Sequence, residues 1–379
     1  MLRLMLVICF CAFAAVLSGA SDAAVDPAGR ILSVHAGDAR LAPVRPVAKR
    51  LRPVTLAQQM DGAPGTRYGP QAAGDDAAAP TQTGAAETTG QMRWLRVREG
   101  HVPLLGAIAL SALVVALIVF RIVRGRVRIE AGRSGRTIVR YNIVQRTVHW
   151  LLAGSFAVLA ITGLFLTLGR EFLVPLMDAT LYANAVQLAR WLHRAVWWLF
   201  GFSLLMIFIF FLRHSVPMLR DIRWWRRGGA LHRKGVRLDA SKFDGGQKAV
   251  FWATVMLGGL ICATGVSLLF PFKVELFGTL ARFANATGLP QLLGGPLDTA
   301  YAGYTEVQLA QIWHTILSFM LIAVALAHSY MRSLGMEGAA EAMHTGTVDE
   351  NFARERSNLW AESKLGKAPA DNAEPGPPH

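Results

Sequence analysis

Residues 309–330 read LAQIWHTILSFMLIAVALAHSY. The run contains no Lys, Arg, Asp or Glu, and roughly 20 mostly apolar residues are what a helix needs to cross the hydrocarbon core of a bilayer. It therefore reads as a membrane-spanning helix. Two of its few polar residues are His314 and His328. At about 100° and 1.5 Å per residue, their spacing puts them within roughly 40° of one helix face and about 21 Å apart along the axis. An ionisable side chain inside a membrane is costly and marks function by default.

Working outward, four more apolar blocks occur at about 103–120, 147–168, 192–212 and 249–270. The chain has 379 residues, 53% hydrophobic and 17% charged, where a soluble domain carries about 25% charged residues. An all-α membrane protein is the expected fold class. The net charge of +14 would raise the question of nucleic acid in a soluble protein. Here the Lys and Arg residues flank hydrophobic blocks, where they set orientation and face anionic lipid. No basic soluble domain is visible, so no nucleic-acid partner is expected.

The basic residues also predict topology. Eight Arg lie between the first and second blocks (121, 124, 126, 128, 133, 136, 140 and 146) and ten basic residues between Arg213 and Lys248. The other two connections hold only Arg170 and Arg190, and Lys273 and Arg282. The positive-inside rule puts the two basic connections and the C-terminus in the cytoplasm. Arg93, Arg96 and Arg98 oppose this but are outnumbered. Residues 1–20 read as a signal peptide cut after Ala20, with a retained anchor as the alternative. Residues 21–100, rich in Ala, Gly, Pro, Thr and Asp, read as a mostly disordered exported segment. Residues 101–122 read as an extra transmembrane helix, 141–335 as the main membrane domain and 336–379 as a cytoplasmic tail.

Cys9, Cys11 and Cys262 form no disulfide framework, no Cys-x-x-Cys-His and no cluster that could hold iron–sulfur. The ten histidines are more informative. His149 lies at the predicted cytoplasmic start of the second span, and His193 at the outer start of the third. By the topology above, His314 is near the outer surface and His328 near the inner. The depths therefore match in pairs, His193 with His314 and His149 with His328. Taken singly, His149 or His193 reads as an ordinary interfacial side chain. Four that pair by depth point to two heme irons, each between two imidazoles, an arrangement suited to electron transfer because it leaves no open position. One zinc or copper site using all four is excluded by the axial separation. His214 and His232 read as solvated residues of a basic loop, His101 as a helix start, and His35, His344 and His379 as tail residues.

Residues 141–360 resemble the gamma, cytochrome b subunit of respiratory formate dehydrogenase. The resemblance rests on Arg146-Thr147-Val148-His149-Trp150, Trp191-Leu192-His193, KFDGGQKAVFW at 242–252, and Ala263-Thr264-Gly265. It also rests on His314 and His328 with Ser329-Tyr330-Met331, and on the tail from Gly338 through Gly346-Thr347-Val348 to Trp360. It implies a four-helix di-heme cytochrome b bundle, with the N-terminal helix lying outside the family's short form. It implies two heme b groups, with the outer one on His193 and His314 and the inner one on His149 and His328. It also implies a quinone beside the inner heme, near Asp244, Gly246 and Gln247, where the family usually has Asn in place of Asp244. Lys242 and Lys248 flank that carboxylate. Asp244 and Gln247 read equally well as a helix cap. Gly163 and Gly265 are expected to allow close approach of a heme or helix.

The implied partners are an iron–sulfur beta subunit and a molybdenum- or tungsten-containing catalytic alpha subunit, which performs the formate chemistry; membrane lipid and quinone complete the set. The implied location is the bacterial inner membrane, with the N-terminus exported. Two other readings stay open on the residues alone. One is the cytochrome b subunit of a hydrogenase or another quinone-linked dehydrogenase. The other is a heme-free membrane anchor.

Overall fold

Five helices long and apolar enough to cross a membrane appear in the computed structural model, one for each hydrophobic block. The structure describes residues 93–366 apart from 177, 230–238, 289, 292–293, 300 and 302. The expected signal peptide, the exported segment up to residue 92, Cys9, Cys11, His35, His232 and His379 lie outside the described residues. Residues 93–100 were expected in the exported segment but are helical and run into the first span.

In chain order the elements are α1 (Val102–Arg124), β1 (Thr137–Val139), α2 (Ile143–Leu173), α3 (Ala179–Ser215) and α4 (Leu219–Arg226). They continue with α5 (Gly245–Leu269), α6 (Leu276–Ala286), α7 (Gly303–Tyr330), α8 (Glu341–His344), β2 (Thr347–Asp349), α9 (Glu350–Arg356) and α10 (Asn358–Leu365). Most spans are longer than their apolar blocks, and α3 most of all. Hydropathy detects only the part of a helix that must be apolar. Once backbone hydrogen bonds are running, a helix continues into the interface, where Asn184, Gln187 and Arg190 of α3 can reach water. His193 therefore sits fourteen residues beyond the start of α3 at Ala179, not at the helix start.

Local chemistry sets the helix starts. Asn142 Oδ1 accepts the Gln145 N–H at 2.8 Å while Gln145 Oε1 accepts the Asn142 N–H at 3.3 Å, a reciprocal cap on α2. Asp178 Oδ1 accepts from the N–H groups of Thr180 and Leu181 at 2.8 and 3.0 Å at the start of α3. Glu306 of α7 is buried and accepts the Phe277 and Gly278 N–H groups at 2.9 and 2.7 Å, fastening α6 to α7.

Helices α2, α3, α5 and α7 pack in turn, and α7 also meets α2, which closes a four-helix bundle. A Cβ at Gly258 of α5 would come within 2.9 Å of Leu204 of α3, so the small residue permits this close helix contact. Helix α1 lies outside the bundle against α7. A Cβ at Gly106 would enter the Phe319 ring, and Phe120 meets Tyr330 edge-on at 6.2 Å between ring centres. Ile122 and Val123 of α1 and Ile161 of α2 are highly exposed in the chain, as lipid-facing side chains should be. Inside, the Ser155 and Ser203 hydroxyls donate to the carbonyls four residues back, which satisfies them without a partner helix.

The segment after α7 folds back onto one end of the bundle, called here the tail end. Thr137, Ile138 and Val139 pair antiparallel with Asp349, Val348 and Thr347, a small ribbon that the all-α expectation did not include. Ile129, Met336, Val348, Phe352, Ala353 and Ala361 form a buried cluster with Tyr141, Phe211, Phe243 and Phe251 of the bundle end. Gly346 has φ 89°, and a Cβ there would lie 2.7 Å from the Tyr141 carbonyl, so glycine is required at this turn. Arg140, 5% exposed, donates to Ser357 Oγ and to the Lys242 carbonyl and lies 5.0 Å from the Trp360 ring centre. Lys242 sits over the Tyr141 ring at 4.9 Å. Burial, with Arg140, Arg213 and Lys364 nearby, pushes its pKa down to about 8. His214, expected to be solvated, is half-buried 5.9 Å from the Phe243 ring.

Candidate functional site

The four spanning histidines meet inside the bundle in two pairs. His193 of α3 faces His314 of α7 with ring centres 6.3 Å apart. His149 of α2 faces His328 of α7 with ring centres 6.4 Å apart, at the tail end. The pairs are the ones that depth matching predicts. Because α7 contributes to both, the two sites are about 21 Å apart along its axis.

The spacing bears on what each pair can hold. An imidazole nitrogen binds a first-row metal at about 2 Å, and the ring centre lies roughly 1 Å behind that nitrogen. A metal between two facing imidazoles thus sets the ring centres about 6 Å apart. Both measured separations match that value. They are too wide for a direct hydrogen bond between the rings, and among the described residues no aromatic side chain stacks on both rings of either pair. Among the described residues, no three His, Cys, Asp or Glu side chains come together as a metal set. A group that supplies its own equatorial ligands, such as heme, fits two imidazoles per site.

The surroundings of the two pairs differ. At the first, Thr162 Oγ1 lies 2.8 Å from His193 Nδ1, and Thr264 Oγ1 lies 3.0 Å from His314 Nδ1. Each threonine precedes a glycine beside the same ring. A Cβ at Gly163 would be 3.5 Å from His193 Cε1, and one at Gly265 would be 3.5 Å from His314 Cε1. That is ordinary contact, so neither glycine is forced by its histidine alone. At the second pair, His149 Nδ1 is buried without a hydrogen-bond partner among the described residues. The buried Tyr330 hydroxyl, two residues beyond His328, also lacks one. Thr162 and Thr264 are absent from the site read from the sequence alone. The usable signal was a Thr-Gly pair recurring in two spans.

Asp244, Gly246 and Gln247 lie together at the start of α5. Asp244 Oδ1 accepts the Gln247 N–H at 2.8 Å, and Gln247 Oε1 accepts the Asp244 N–H at 3.1 Å. The capping reading is thus realised. Gly245 and Gly246 lie under Trp224 of α4, where added Cβ atoms would come within 2.9 and 3.1 Å of its ring. Lys248, read from the sequence as a flank of Asp244, instead donates to both oxygens of Asp221 of α4 at 2.9 and 3.1 Å. Its charge is thereby committed to α4 and not to the cap.

Residues 140–346 match the family model described as prokaryotic cytochrome b561. The chain is also similar to the cytochrome b556(fdo) subunit of formate dehydrogenase from Escherichia coli K12, at 27% identity over 225 residues, covering 59% of this chain and 92% of that protein. The nitrate-inducible formate dehydrogenase cytochrome b556(Fdn) subunit of the same strain is 23% identical over 233 residues, 60% of this chain and 91% of its own length. The formate dehydrogenase cytochrome b556 subunit of Haemophilus influenzae is 24% identical over 241 residues, 63% and 87%.

Proposed function

The chain belongs to the prokaryotic cytochrome b561 family, and from that premise we propose that it is the membrane subunit of a formate dehydrogenase complex, holding two b hemes and delivering electrons to quinone. The observation that carries this reading is the pair of facing histidine couples, each spaced for one metal and joined by α7. His193 and His314 hold one heme, and His149 and His328 hold the other. Heme held by these residues would supply one-electron carriers, and two imidazoles per iron would leave no position for oxygen chemistry. The Escherichia coli relatives are named as subunits of formate dehydrogenase. The same assignment for this chain implies an iron–sulfur subunit as immediate donor and a molybdenum or tungsten subunit as the site of formate oxidation.

In this reading the tail end faces the cytoplasm of a bacterial inner membrane, as the basic connections require. A periplasm-active reporter fused near residue 290 should be active, and one fused near residue 230 should be silent. The reverse pattern would invert the orientation.

Quinone binds at the start of α5. Asp244 caps the helix through Oδ1 and presents its carboxylate to the quinone oxygen or its proton. Gln247 is tied to the cap, and Gly246 serves the packing of Trp224. In the assembled complex, formate should reduce the b-type absorbance and a quinone analogue should reoxidise it. Reduction by hydrogen and not by formate would transfer the chain to a hydrogenase. Asp244→Ala should slow reoxidation by quinone at least tenfold while formate still reduces the hemes. Asp244→Asn, which keeps the cap, should still bind quinone and shift the pH dependence of reoxidation. Wild-type reoxidation in Asp244→Ala would reduce the residue to a cap.

A further inference from the structure

Thr162 of α2 and Thr264 of α5 stand in the same relation to two different histidines. Both are buried, at 6% and 4% exposure. Thr162 Oγ1 donates back to the Val158 carbonyl at 2.7 Å and lies 3.2 Å from the Leu159 carbonyl. Thr264 Oγ1 lies 3.0 Å from both the Leu260 and Ile261 carbonyls. A hydroxyl has one proton and two lone pairs. In each threonine that proton is committed to the helix backbone, since carbonyls only accept. Toward the imidazole the hydroxyl oxygen can then only accept, and the proton in the 2.8 and 3.0 Å contacts belongs to His193 Nδ1 and His314 Nδ1. Both rings therefore carry Nδ1–H and leave the Nε2 lone pair free for a metal.

The other pair has no such support. His149 Nδ1 is buried and unpartnered, and no hydrogen bond to the His328 ring is formed among the described residues. An imidazole that donates its far N–H to an acceptor is a more basic ligand, which favours the more highly charged ferric iron. The contrast runs one way, with two supported rings at one site and none at the other.

We infer that Thr162 and Thr264 are positioning residues that fix the tautomer of His193 and His314 and hold the heme between them at a lower reduction potential than the heme between His149 and His328. The inference rests on the di-heme reading above. It also makes transfer from the first site toward the tail end energetically downhill, the direction quinone reduction there requires.

The test is a potentiometric titration of the purified complex, followed by the b-type absorbance. The wild type should show two waves. Thr162→Val and Thr264→Val should each raise the lower wave by about threefold to tenfold in reduction equilibrium constant, roughly 30 to 60 mV for a one-electron couple. The upper wave should stay in place, and Thr→Ser at either position should restore the wild-type value. The wave missing from His314→Ala must be the lower one, a check that does not depend on the valine variants folding. Two hemes with an unmoved lower wave in both valine variants, or loss of the upper wave in His314→Ala, overturns this inference and leaves the di-heme reading standing. Fewer than two b hemes in the wild type overturns both.

Discussion

His314→Ala should yield a purified chain with one b heme where the wild type has two, and His149→Ala should yield a chain that keeps the heme His314→Ala has lost. A bis-imidazole iron that loses one ligand has one strong axial bond left inside an apolar bundle, and a non-covalent heme has no other anchor. The two substitutions are on different helices and their sites are about 21 Å apart by helix rise. Their effects should therefore be independent. The measurements are heme per chain and the redox waves that remain. Loss of the same heme in both variants would refute the pairing, and loss of none would refute ligation by these residues. His193→Ala should match His314→Ala, because their rings face each other at 6.3 Å.

The second large effect is expected at the buried ion pair between α4 and α5. Lys248→Ala or Asp221→Ala should destabilise the protein by about 3–5 kcal/mol, the cost of stranding one buried charge. The Asp221 and Lys248 side chains are 7% and 4% exposed, with Nζ 2.9 Å from Oδ2. Asp221 Oδ2 also accepts the Met218 N–H at 2.6 Å and so starts α4. Without the pair, α4 loses its main polar tie to α5 and Trp224 loses its seat over Gly245 and Gly246. Thermal unfolding in detergent measures the loss. The double variant Asp221→Leu/Lys248→Met should recover most of it, because removing both charges leaves none stranded. If the single variants unfold like the wild type, the pair is solvated and the packing of α4 is looser than described.

Some features were legible from residues alone because they answer to a local or one-dimensional rule. A stretch such as 309–330 reads as helical, since only a helix satisfies its backbone within a single segment in a bilayer. The His149/His328 and His193/His314 pairing followed from depth, because topology and helix rise already assign each residue a height in the membrane. The capping roles of Asp244 and Gln247 were readable for a similar reason, as they depend on residues three apart.

The ends of α3 were not legible. Thirteen residues, 179–191, precede the apolar block at 192, and their polarity hides a helix that the interface tolerates. The packing of the tail was not legible either. Residues 336–379 read as a cytoplasmic tail, and the apolar residues of its described part are complementary to Tyr141, Phe211 and Phe243, a surface made from three separate chain segments. Lys248 read as a neighbour of Asp244 because the two are close in sequence. The partner it takes, Asp221, is 27 positions away.

By itself, the sequence determined the five spans, the partners of the four spanning histidines and the start of α5, all set by hydrophobic thickness, helix rise and capping over a few residues. Only the tertiary structure decided which side chains meet across helices: Thr162 with His193, Thr264 with His314, Asp221 with Lys248, and Trp224 with the two glycines. Those contacts depend on the rotation of each helix about its own axis. Packing sets that rotation through close approaches such as Gly258 against Leu204 and Gly106 against Phe319. No spacing within a single helix carries that information.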